Sequence, residues 1–338
     1  MKKVLILFGG NSFEHLISCK SAKGVYENID TKKFNPALCG IDYDNNFYIY
    51  NDSVKFLEAG SWINQKNKVL IDNIYKFVKE FDIVFPIMHG KYGEDGTLAG
   101  MLDMFNVKYV GSSLNSHSIG MDKSLTKIIS DYFNIKQVPY VVINKNDKYI
   151  EKCENSLGYP MIIKPSSGGS SIGITIANNK KELISSVKNA FKYDNKVIVE
   201  KFIKCRELEC AVLKDKKICV SSIGEIKSSN TFYDYDAKYV NDSKLIIPAI
   251  LSDCIKKEIQ NMAIKIFEFL NCDNIARIDF LYDTDNNVIY FNEINTMPGF
   301  TPISMYPKLF EHDGISYKDL ITKLINSGVK KEDKIKCK

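Results

Sequence analysis

Residues 277–304 read RIDFLYDTDNNVIYFNEINTMPGFTPIS, and this stretch decides how the rest of the chain is interpreted. Short apolar runs occupy residues 275–282 and 288–292, and the five residues between them are Asp, Thr, Asp, Asn and Asn. Asp and Asn tolerate turn conformations and hydrogen-bond their own backbone, so such a segment between apolar runs is typical of a β-hairpin. The stretch therefore predicts two antiparallel strands joined by a turn.

The register of this hairpin places four polar side chains together. If the turn is centred on Asn286, Asp279 lies opposite Glu293 and Arg277 lies opposite Asn295. Because side chains alternate between the two faces of a strand, these four share one face, and a shift of one residue would separate the acids. Two carboxylates and an amide are oxygen ligands suited to Mg²⁺. The alternative is a solvated polar face on an edge hairpin.

Composition excludes several classes of protein. A chain of 338 residues, 45% hydrophobic and 26% charged, is long enough for two or three globular domains. The net charge of +5 is mild, and the lysines are spread along the chain apart from a cluster at 330–338. Because no basic stripe with interleaved aromatic residues occurs, we expect no nucleic-acid partner.

Apolar runs and cysteines indicate the compartment. No apolar run approaches 18 residues, so we expect no transmembrane helix and no membrane partner. The apolar core of the opening MKKVLILFGG is too short for a signal peptide and fits a buried first strand better. The nine cysteines are irregularly spaced and include no CxxC pair. They are typical of reduced thiols in a cytoplasmic protein.

The N-terminal segment predicts the start of a parallel α/β unit. An apolar run at 4–8 is followed by GGNS and then by an amphipathic segment to about residue 27, which indicates strand, glycine turn and helix. GGNSFE lacks the third glycine and the spacing of GxGxxG, so a nicotinamide dehydrogenase is rejected. Glu14 could receive an ammonium group, or it could be a glutamate that favours the helix N-terminus.

The loop after the strand predicted at 82–86 is a second candidate site. It reads IMHGKYGEDG over residues 87–96, too polar for core and placed where α/β folds bind ligands. His89 in this loop could order it by hydrogen bonding or lie beside a phosphoryl group. Other predicted strands are 37–41, 109–111, 139–143, 196–203 and 208–213, and the predicted helices are 98–105, 123–132, 180–193, 251–270 and 316–325.

A loop of Ser and Gly predicts a phosphate contact. Strands predicted at 161–164 and 172–176 flank the sequence SSGGSS, which is rich in N–H and O–H donors. No GxxxxGK[ST] leads into a helix, so this is not a Walker A motif. Lys164, just before the loop, would direct a point charge at phosphates. A plain Gly/Ser hairpin is the alternative.

Two further segments complete the pattern. Glu200, Glu207 and Glu209 lie around the turn between two predicted strands, where they could accept hydrogen bonds from a nucleotide or form an ordinary surface turn. Residues 230–242, NTFYDYDAKYVND, hold four aromatic residues without a clean period. An irregular aromatic loop of this kind predicts a lid that packs over a site.

The order of these motifs resembles the ATP-grasp fold. The resemblance is carried by the lysine before the Ser/Gly hairpin, by EKFIKCRE at 200–207 and by the RIDF and NEIN strands of the hairpin. GGNSFEH, HGKYGEDGT, MDKSLT, FYDYDAKY and NTMPGFTPIS narrow it to the D-alanine–D-alanine ligase family, over about residues 3–325.

That resemblance implies a multidomain α/β (α+β) architecture. It comprises an N-terminal Rossmann-like α/β domain at 1–111, a small central subdomain at 112–200, a C-terminal mixed-sheet subdomain at 201–330 and a polar tail at 331–338. It also implies ATP-dependent ligation of two D-alanines through a D-alanyl phosphate, in a homodimer that supplies peptidoglycan precursor.

The resemblance assigns the nucleotide and metal contacts as follows. ATP would lie between the central and C-terminal subdomains, with phosphates held by Lys123, Lys164, Ser170 and Ser171. The adenine would contact Glu200, Lys201, Phe202 and Ile203, and the ribose would contact Glu207. Two Mg²⁺ ions, which Mn²⁺ could replace, would be held by Asp279, Glu293 and Asn295.

The resemblance also assigns the amino-acid contacts. Glu14 would bind the ammonium group of the first D-alanine, supported by Ser170 and Tyr239. Arg277 and the Gly299 amide would form the oxyanion site, while Ser304 and Met305 would line the second D-alanine pocket. Lys238 and His89 would lie near the transferred phosphoryl group.

Three alternatives remain open from the sequence. Ligases that form D-alanyl-D-lactate or D-alanyl-D-serine are the nearest, but Lys238, Tyr239 and Met305 favour D-alanine as second substrate. A nucleotide-binding regulator without catalysis is the alternative of another class. The presence of every expected ligand and donor argues against it.

Overall fold

The structure is a computed structural model, which describes residues 1–227 and 244–330. The predicted lid at 230–242, with Lys238 and Tyr239, and the polar tail at 331–338 lie outside the described residues. Three β-sheets organise the described part of the chain, and each occupies its own stretch of sequence.

The first sheet is the predicted α/β unit. Its five strands are β1 (Lys2–Gly9), β2 (Phe34–Ile41), β3 (Phe47–Tyr50), β4 (Lys68–Leu70) and β5 (Ile83–Pro86), in the order β4-β3-β2-β1-β5. β1 is parallel to β2 and β5, as expected for a continuous apolar run that is buried on both faces. Its helices are α1 (His15–Asn28), α2 (Lys55–Glu58), α3 (Ile74–Val78) and α4 (Thr97–Met104).

The second sheet is antiparallel and carries the Ser/Gly loop. Its strands are β6 (Tyr140–Asn144), β7 (Met161–Pro165), β8 (Thr175–Ala177) and β9 (Lys196–Lys201), in the order β6-β9-β7-β8. The helices before and around it are α5 (Leu114–Met121), α6 (Lys123–Tyr132), α7 (Ile150–Ser156) and α8 (Lys180–Ala190).

The predicted strand at 172–176 is wrong in its first half. Ser170 and Ser171 have φ values of 54° and 58°, and the amides of Ile172 and Ile174 donate back to Gly169 and Ser171. Two residues in the left-handed region bend the backbone, so the loop extends further than its apolar letters indicate. Strand pairing with β7 begins only at Thr175. The predicted strand at 109–111 is likewise reduced to an isolated bridge between Val84 and Tyr109.

The third sheet contains the hairpin and is also antiparallel. Its strands are β10 (Arg206–Lys214), β11 (Ile218–Lys227), β12 (Lys244–Ile246), β13 (Ile275–Asp283) and β14 (Val288–Asn295), in the order β12-β11-β10-β13-β14. Helices α9 (Asp253–Phe269), α10 (Met305–His312) and α11 (Tyr317–Val329) follow or flank it. β13 and β14 therefore form the edge pair of this sheet.

The predicted pairing within the hairpin is confirmed. Arg277 pairs with Asn295 and Asp279 pairs with Glu293. The register shifts beyond Asp279, so that Phe280 pairs with Phe291 and the turn is centred half a residue away from the predicted position. A β-bulge at this point adds one residue to β14 and restores the pairing of the polar residues.

The largest apolar core joins the two ends of the chain. Leu320 and Ile325 of α11 are fully buried and belong to the same cluster as Val4 and Ile6 of β1. The C-terminal helix thus packs against the first sheet, although the sequence places it in the C-terminal subdomain. The predicted division of the chain, with limits at 111 and 200, stays a prediction. Among the described helices, none combines the length and apolar character needed to cross a membrane.

Candidate active site

Arg277 is the centre of a buried charge cluster on the hairpin face. Its Nε and Nη2 donate to the two carboxylate oxygens of Asp279 at 2.7 and 2.8 Å, and Nε lies 3.0 Å from Glu209 Oε2. Asn295 Nδ2 donates to the same Asp279 carboxylate at 2.9 Å. Burial alone would lower the pKa of the guanidinium, but Asp279 and Glu209 raise it well above its ordinary value. Arg277 is therefore held as a fixed cation.

Lys123 joins this face to the Ser/Gly loop. It is the first residue of α6, and its Nζ lies 3.3 Å from Glu293 Oε2 and donates to the Gly168 carbonyl at 2.7 Å. Glu293 faces the cavity with its side chain 22% exposed. Three carboxylates, on Glu209, Asp279 and Glu293, thus face the cations of Arg277 and Lys123, which leaves one negative charge on this face.

Glu14 is wedged between two loops of different sheets. It immediately precedes α1, and its Oε1 accepts a hydrogen bond of 2.6 Å from Ser170 Oγ. A Cβ on Gly90 would lie 2.5 Å from Glu14 Oε2, and a Cβ on Gly169 would lie 2.9 Å from the same oxygen. Only residues without a side chain allow these two backbones to approach the carboxylate so closely. The Ser/Gly loop and the loop at 87–96 therefore meet at Glu14.

Lys164 is held by Glu200 rather than directed into open space. Its Nζ lies 2.6 Å from Glu200 Oε2, and the buried Lys127 lies 2.8 Å from Oε1. Burial would raise the pKa of the Glu200 carboxyl, but the two ammonium groups lower it to about 2. Lys127 also lies over the Tyr140 ring, 5.0 Å from its centre. Lys127 was not among the predicted site residues, although it follows Lys123 at the four-residue spacing that places both on one side of α6.

The loop at 87–96 holds the chain that continues from the hairpin. Glu94 accepts the amides of Gly90 and Met297 at 2.9 and 3.0 Å, while His89 Nδ1 donates to the Met297 carbonyl at 2.9 Å. His89 Nε2 lies 3.0 Å from Ser21 Oγ, so both ring nitrogens are engaged. Burial lowers the pKa of His89. Burial, followed by the charge of Glu14, raises the pKa of Glu94 to about 8. Glu94 was also missed, although the motif HGKYGEDG contains it.

Ser304 and Gly299 form the turn that follows. Ser304 precedes α10, yet its Oγ bonds to Thr301 Oγ1 at 2.7 Å and accepts the Thr301 amide at 3.1 Å instead of capping the helix. A Cβ on Gly299 would lie 3.2 Å from Ser304 Oγ. Met305, which is 5% exposed, packs against Gly224 of β11, where a Cβ would lie only 2.4 Å from the methionine sulfur.

These elements surround a cavity of about 260 Å³. Its apolar lining includes Ile226, Leu245, Ile303 and Met305. The predicted site residues that line it are Glu14, His89, Lys123, Ser170, Arg277, Glu293, Asn295, Gly299, Ser304 and Met305. Lys164 and Ser171 line an adjoining space of about 40 Å³ together with Lys123 and Glu293.

The predicted adenine and ribose contacts lie outside both cavities. Glu200 and Lys201 end β9, the Phe202 amide donates to the Pro160 carbonyl at 3.1 Å, and Glu207 lies on β10 between Leu281 and Ile226. The structure thus brings together the predicted phosphate, metal and amino-acid contacts. The ion pair of Glu200 with Lys164 links the adenine segment to them.

The side chains on the hairpin face have the ligand chemistry that a divalent cation requires. Asp279, Glu293 and Asn295 offer hard oxygen donors, and the residual negative charge of the hairpin face would attract a cation. Both Asp279 oxygens accept hydrogen bonds from Arg277 or Asn295. A bound metal ion would therefore have to share the Asp279 carboxylate with these two side chains. Within 1–227 and 244–330, no three His, Cys, Asp or Glu side chains cluster as a ready metal site.

Comparisons with known proteins place the chain in a family. Residues 3–112 match the family model of the D-ala D-ala ligase N-terminus, and residues 129–326 match that of the D-ala D-ala ligase C-terminus. The chain is similar to the D-alanine–D-alanine ligase of Clostridium acetobutylicum, with 45% identity over 96% of this chain and 97% of the relative. It is 42% identical to that of Clostridium novyi, over 98% and 99% of the two chains.

Solved structures agree with this placement. The VanG D-Ala:D-Ser ligase from Enterococcus faecalis superposes with a TM-score of 0.89 and 35% identity, over 97% of this chain and 99% of that one. The D-alanine–D-alanine ligase from Bacillus anthracis complexed with ATP superposes with a TM-score of 0.77 and 26% identity, over 97% and 98% of the chains.

Proposed function

The chain belongs to the D-alanine–D-alanine ligase family, and we propose that it joins two molecules of D-alanine in an ATP-dependent reaction. The product, D-alanyl-D-alanine, is a building block of peptidoglycan. The observation that carries the proposal is the hairpin pairing of Arg277 with Asn295 and of Asp279 with Glu293, beside a cavity that Glu14 also lines. One cavity thus offers a carboxylate for an ammonium group and a cation for an oxyanion.

In the first step, the carboxylate of the first D-alanine attacks the γ-phosphorus of ATP. The bond from phosphorus to the bridging oxygen breaks, ADP leaves, and D-alanyl phosphate forms. Phosphoryl transfer depends chiefly on positioning and charge neutralisation. Lys123, Lys164, Ser170 and Ser171 surround the adjoining space, and we assign the phosphates to them. Glu14 holds the ammonium group of the first D-alanine.

In the second step, the amine of the second D-alanine attacks the acyl carbon. The carbon–oxygen bond to phosphate breaks after a tetrahedral oxyanion has formed, the amine loses a proton, and inorganic phosphate leaves. We assign the stabilisation of that oxyanion to Arg277 and the Gly299 amide, because both residues line the cavity. Because Asp279 and Glu209 hold the guanidinium in one place, little reorganisation accompanies the reaction.

We assign two Mg²⁺ ions, replaceable by Mn²⁺, to Asp279, Glu293 and Asn295. When bound, such ions polarise phosphoryl oxygens and neutralise their charge. The donor chemistry and residual charge described above support this assignment. Glu200, Lys201, Phe202 and Ile203 are assigned to the adenine and Glu207 to the ribose.

The remaining assignments follow from the family. His89 binds the Met297 carbonyl and Ser21, so we assign it first to holding the chain that bears Gly299, and its predicted place beside the phosphoryl group stays a prediction. We also propose a cytoplasmic homodimer. Analytical ultracentrifugation of the purified chain tests the assembly, and a monomer at micromolar concentration would contradict it.

Apolar residues of the cavity lining support D-alanine as second substrate. Ile226, Leu245, Ile303 and Met305 offer its methyl group apolar contacts. We therefore expect D-alanyl-D-alanine rather than D-alanyl-D-serine or D-alanyl-D-lactate.

The test measures phosphate release and product formation with ATP and Mg²⁺ and a panel of D-alanine, D-serine and D-lactate. We expect turnover when D-alanine is the sole amino acid present. Among the three compounds, D-alanine should give the highest kcat/KM as second substrate. A higher kcat/KM for D-serine or D-lactate would replace the substrate assignment. ATP binding without D-alanine-dependent phosphate release would favour the nucleotide-binding regulator.

A further inference from the structure

Asp122, the residue before Lys123, is bound by far more donors than a helix cap requires. Its Oδ1 accepts the amides of Ser124 at 3.0 Å and Leu125 at 3.3 Å, which is ordinary capping of α6. The same oxygen accepts Ser124 Oγ and Ser166 Oγ, both at 2.6 Å. Ser166 follows β7 and begins the Ser/Gly loop, so this contact joins a helix to a different element.

Lys196 completes the connection from a third element. It is the first residue of β9, and its Nζ forms an ion pair with Asp122 Oδ2 and donates to Ser124 Oγ at 2.9 Å. The Lys196 carbonyl also accepts the Ser166 amide at 3.0 Å. Burial would raise the pKa of Asp122, but the contacts with Lys196, Ser124 and Ser166 lower it to about 2. The carboxylate is thus ionised throughout the neutral range.

The segments that this pair joins are those that carry the phosphate contacts. The Lys123 amide donates to the Ser166 carbonyl at 2.9 Å, and Lys123 Nζ donates to the Gly168 carbonyl two residues further along the loop. Ser170 and Ser171 follow in the same loop. A change in the angle between α6 and β7 would therefore move the Lys123 ammonium and the loop relative to each other.

We propose that Asp122 and Lys196 are a positioning pair for ATP. They fix the start of α6 against the start of the Ser/Gly loop, and they set the affinity for the triphosphate without contacting it. The inference rests on the proposed function, because Lys123 and the loop are assigned there to phosphates. It adds two residues, neither of which lines the cavity of about 260 Å³.

The role predicts a selective kinetic effect. Loss of the pair loosens the phosphate contacts at the start of the loop, whereas Arg277 on β13 and Ser304 before α10 lie on segments that the pair does not join. Removal of the outer partners of metal ligands typically costs about 10–100-fold in metal affinity or activity, and we expect an effect of similar size for the partners of phosphate ligands. We therefore expect Asp122→Asn and Lys196→Met each to raise the KM for ATP by about tenfold, with the KM values for D-alanine within twofold of wild type.

The experiment measures binding as well as turnover. Calorimetry with Mg²⁺ and a non-hydrolysable ATP analogue gives Kd without any amino acid, and phosphate release gives the KM values. Asp122→Asn retains a capping side chain and so keeps α6, while it removes the ionic contact with Lys196. Lys196→Arg retains the charge and should stay within threefold of wild type. Exposed matched controls are Asp285→Asn and Lys188→Met, which should change neither constant.

Coupling distinguishes a pair from two independent residues. The Kd of the double variant for the ATP analogue should be at most about twofold higher than that of either single variant, since the second change removes no further contact. Thermal unfolding should show all variants folded at the assay temperature. If Asp122→Asn does not fold, the comparison of Lys196→Met with Lys196→Arg decides the matter alone.

Two results would overturn the proposal. One is an analogue Kd within twofold of wild type in folded Lys196→Met, and the other is an equal rise in the KM values for ATP and D-alanine. Failure of the proposed function can be distinguished from failure of this proposal. In that case the wild-type chain would bind the analogue and yet form no dipeptide.

Discussion

The hairpin of β13 and β14 and the Ser/Gly loop after β7 both face the candidate active site, but they are positioned in different ways. In the hairpin, strand pairing alone sets Arg277 beside Asn295 and Asp279 beside Glu293. In the loop, Ser170 contacts Glu14, which lies 156 positions earlier, and the loop start is tied to α6 and β9.

The difference shows which part of the site is prearranged. A buried edge hairpin keeps its side-chain geometry as long as its sheet is folded. The loop keeps its geometry only while three separate segments stay in contact with it. Changes in the hairpin should therefore remove chemistry, whereas changes around the loop should weaken substrate binding.

The largest effect is expected from the hairpin acids. Glu293→Ala and Asp279→Ala should each lower kcat by roughly a thousandfold or more, because metal and charge stabilisation of this kind contributes several kcal/mol to the transition state. The ladder hydrogen bonds of β14 come from the backbone, so circular dichroism should show Glu293→Ala folded. Wild-type turnover in either variant would contradict the metal assignment.

A smaller effect is expected where the loop meets Glu14. The Cβ of Gly169→Ala would lie 2.9 Å from Glu14 Oε2 and should displace this carboxylate or the loop. Because a misplacement of about 1 Å can cost about a hundredfold, kcat/KM for D-alanine should fall by roughly 10–100-fold.

The affinity of Gly169→Ala for the ATP analogue should stay within threefold of wild type. Ser185→Ala, an exposed change on α8, is the control and should leave both quantities unaltered. If kcat/KM for D-alanine is unchanged in folded Gly169→Ala, the close approach at Glu14 has no role in substrate binding.

The smallest effect concerns the support that the hairpin receives from the first sheet. Glu94 holds the Met297 amide, and its pKa in the folded protein, about 8, lies well above that of an ordinary glutamate. The folded state thus binds the proton more tightly than the unfolded state, so this contribution to stability is complete below about pH 4.3 and is lost as pH rises through 8.

Glu94→Gln removes that titration. The melting temperature of wild type relative to the variant should fall by a few degrees between about pH 5 and pH 8.5, measured by differential scanning fluorimetry. A constant difference in melting temperature across this range would show that Glu94 is ionised in the folded protein and that its contacts alone matter.

The features that could be predicted from the sequence are those that depend on the local order of apolar and polar residues. Alternation of apolar and polar residues set the register of Asp279 and Glu293, and the bulge beyond Asp279 absorbed the error in the turn centre. The same local reasoning failed at 172–174, because the left-handed conformations of Ser170 and Ser171 depend on contacts with distant segments. Strands β3, β4, β11 and β12 were not predicted either. For β3 and β11 the pairing is local, since Ile41 pairs with Phe47 and Lys214 pairs with Ile218, so these are missed hairpins rather than an effect of distant segments.

Site residues divide along the same line. Glu14, Arg277 and Glu293 could be identified from their motifs, and they line one cavity. Lys127, Glu94 and the contacts of Asp122 could not be assigned, because their partners Glu200, Met297 and Lys196 are brought to them only by the folded sheets.

The central claim is that this site activates one D-alanine as an acyl phosphate before the second attacks it. The most direct measurement uses D-alanine labelled with ¹⁸O in its carboxylate and follows the label by mass spectrometry of the released phosphate. Because the carbon–oxygen bond breaks in the second step, each inorganic phosphate should carry one carboxylate ¹⁸O, in a one-to-one ratio with the dipeptide. Phosphate without the label, released while dipeptide forms, would contradict the account.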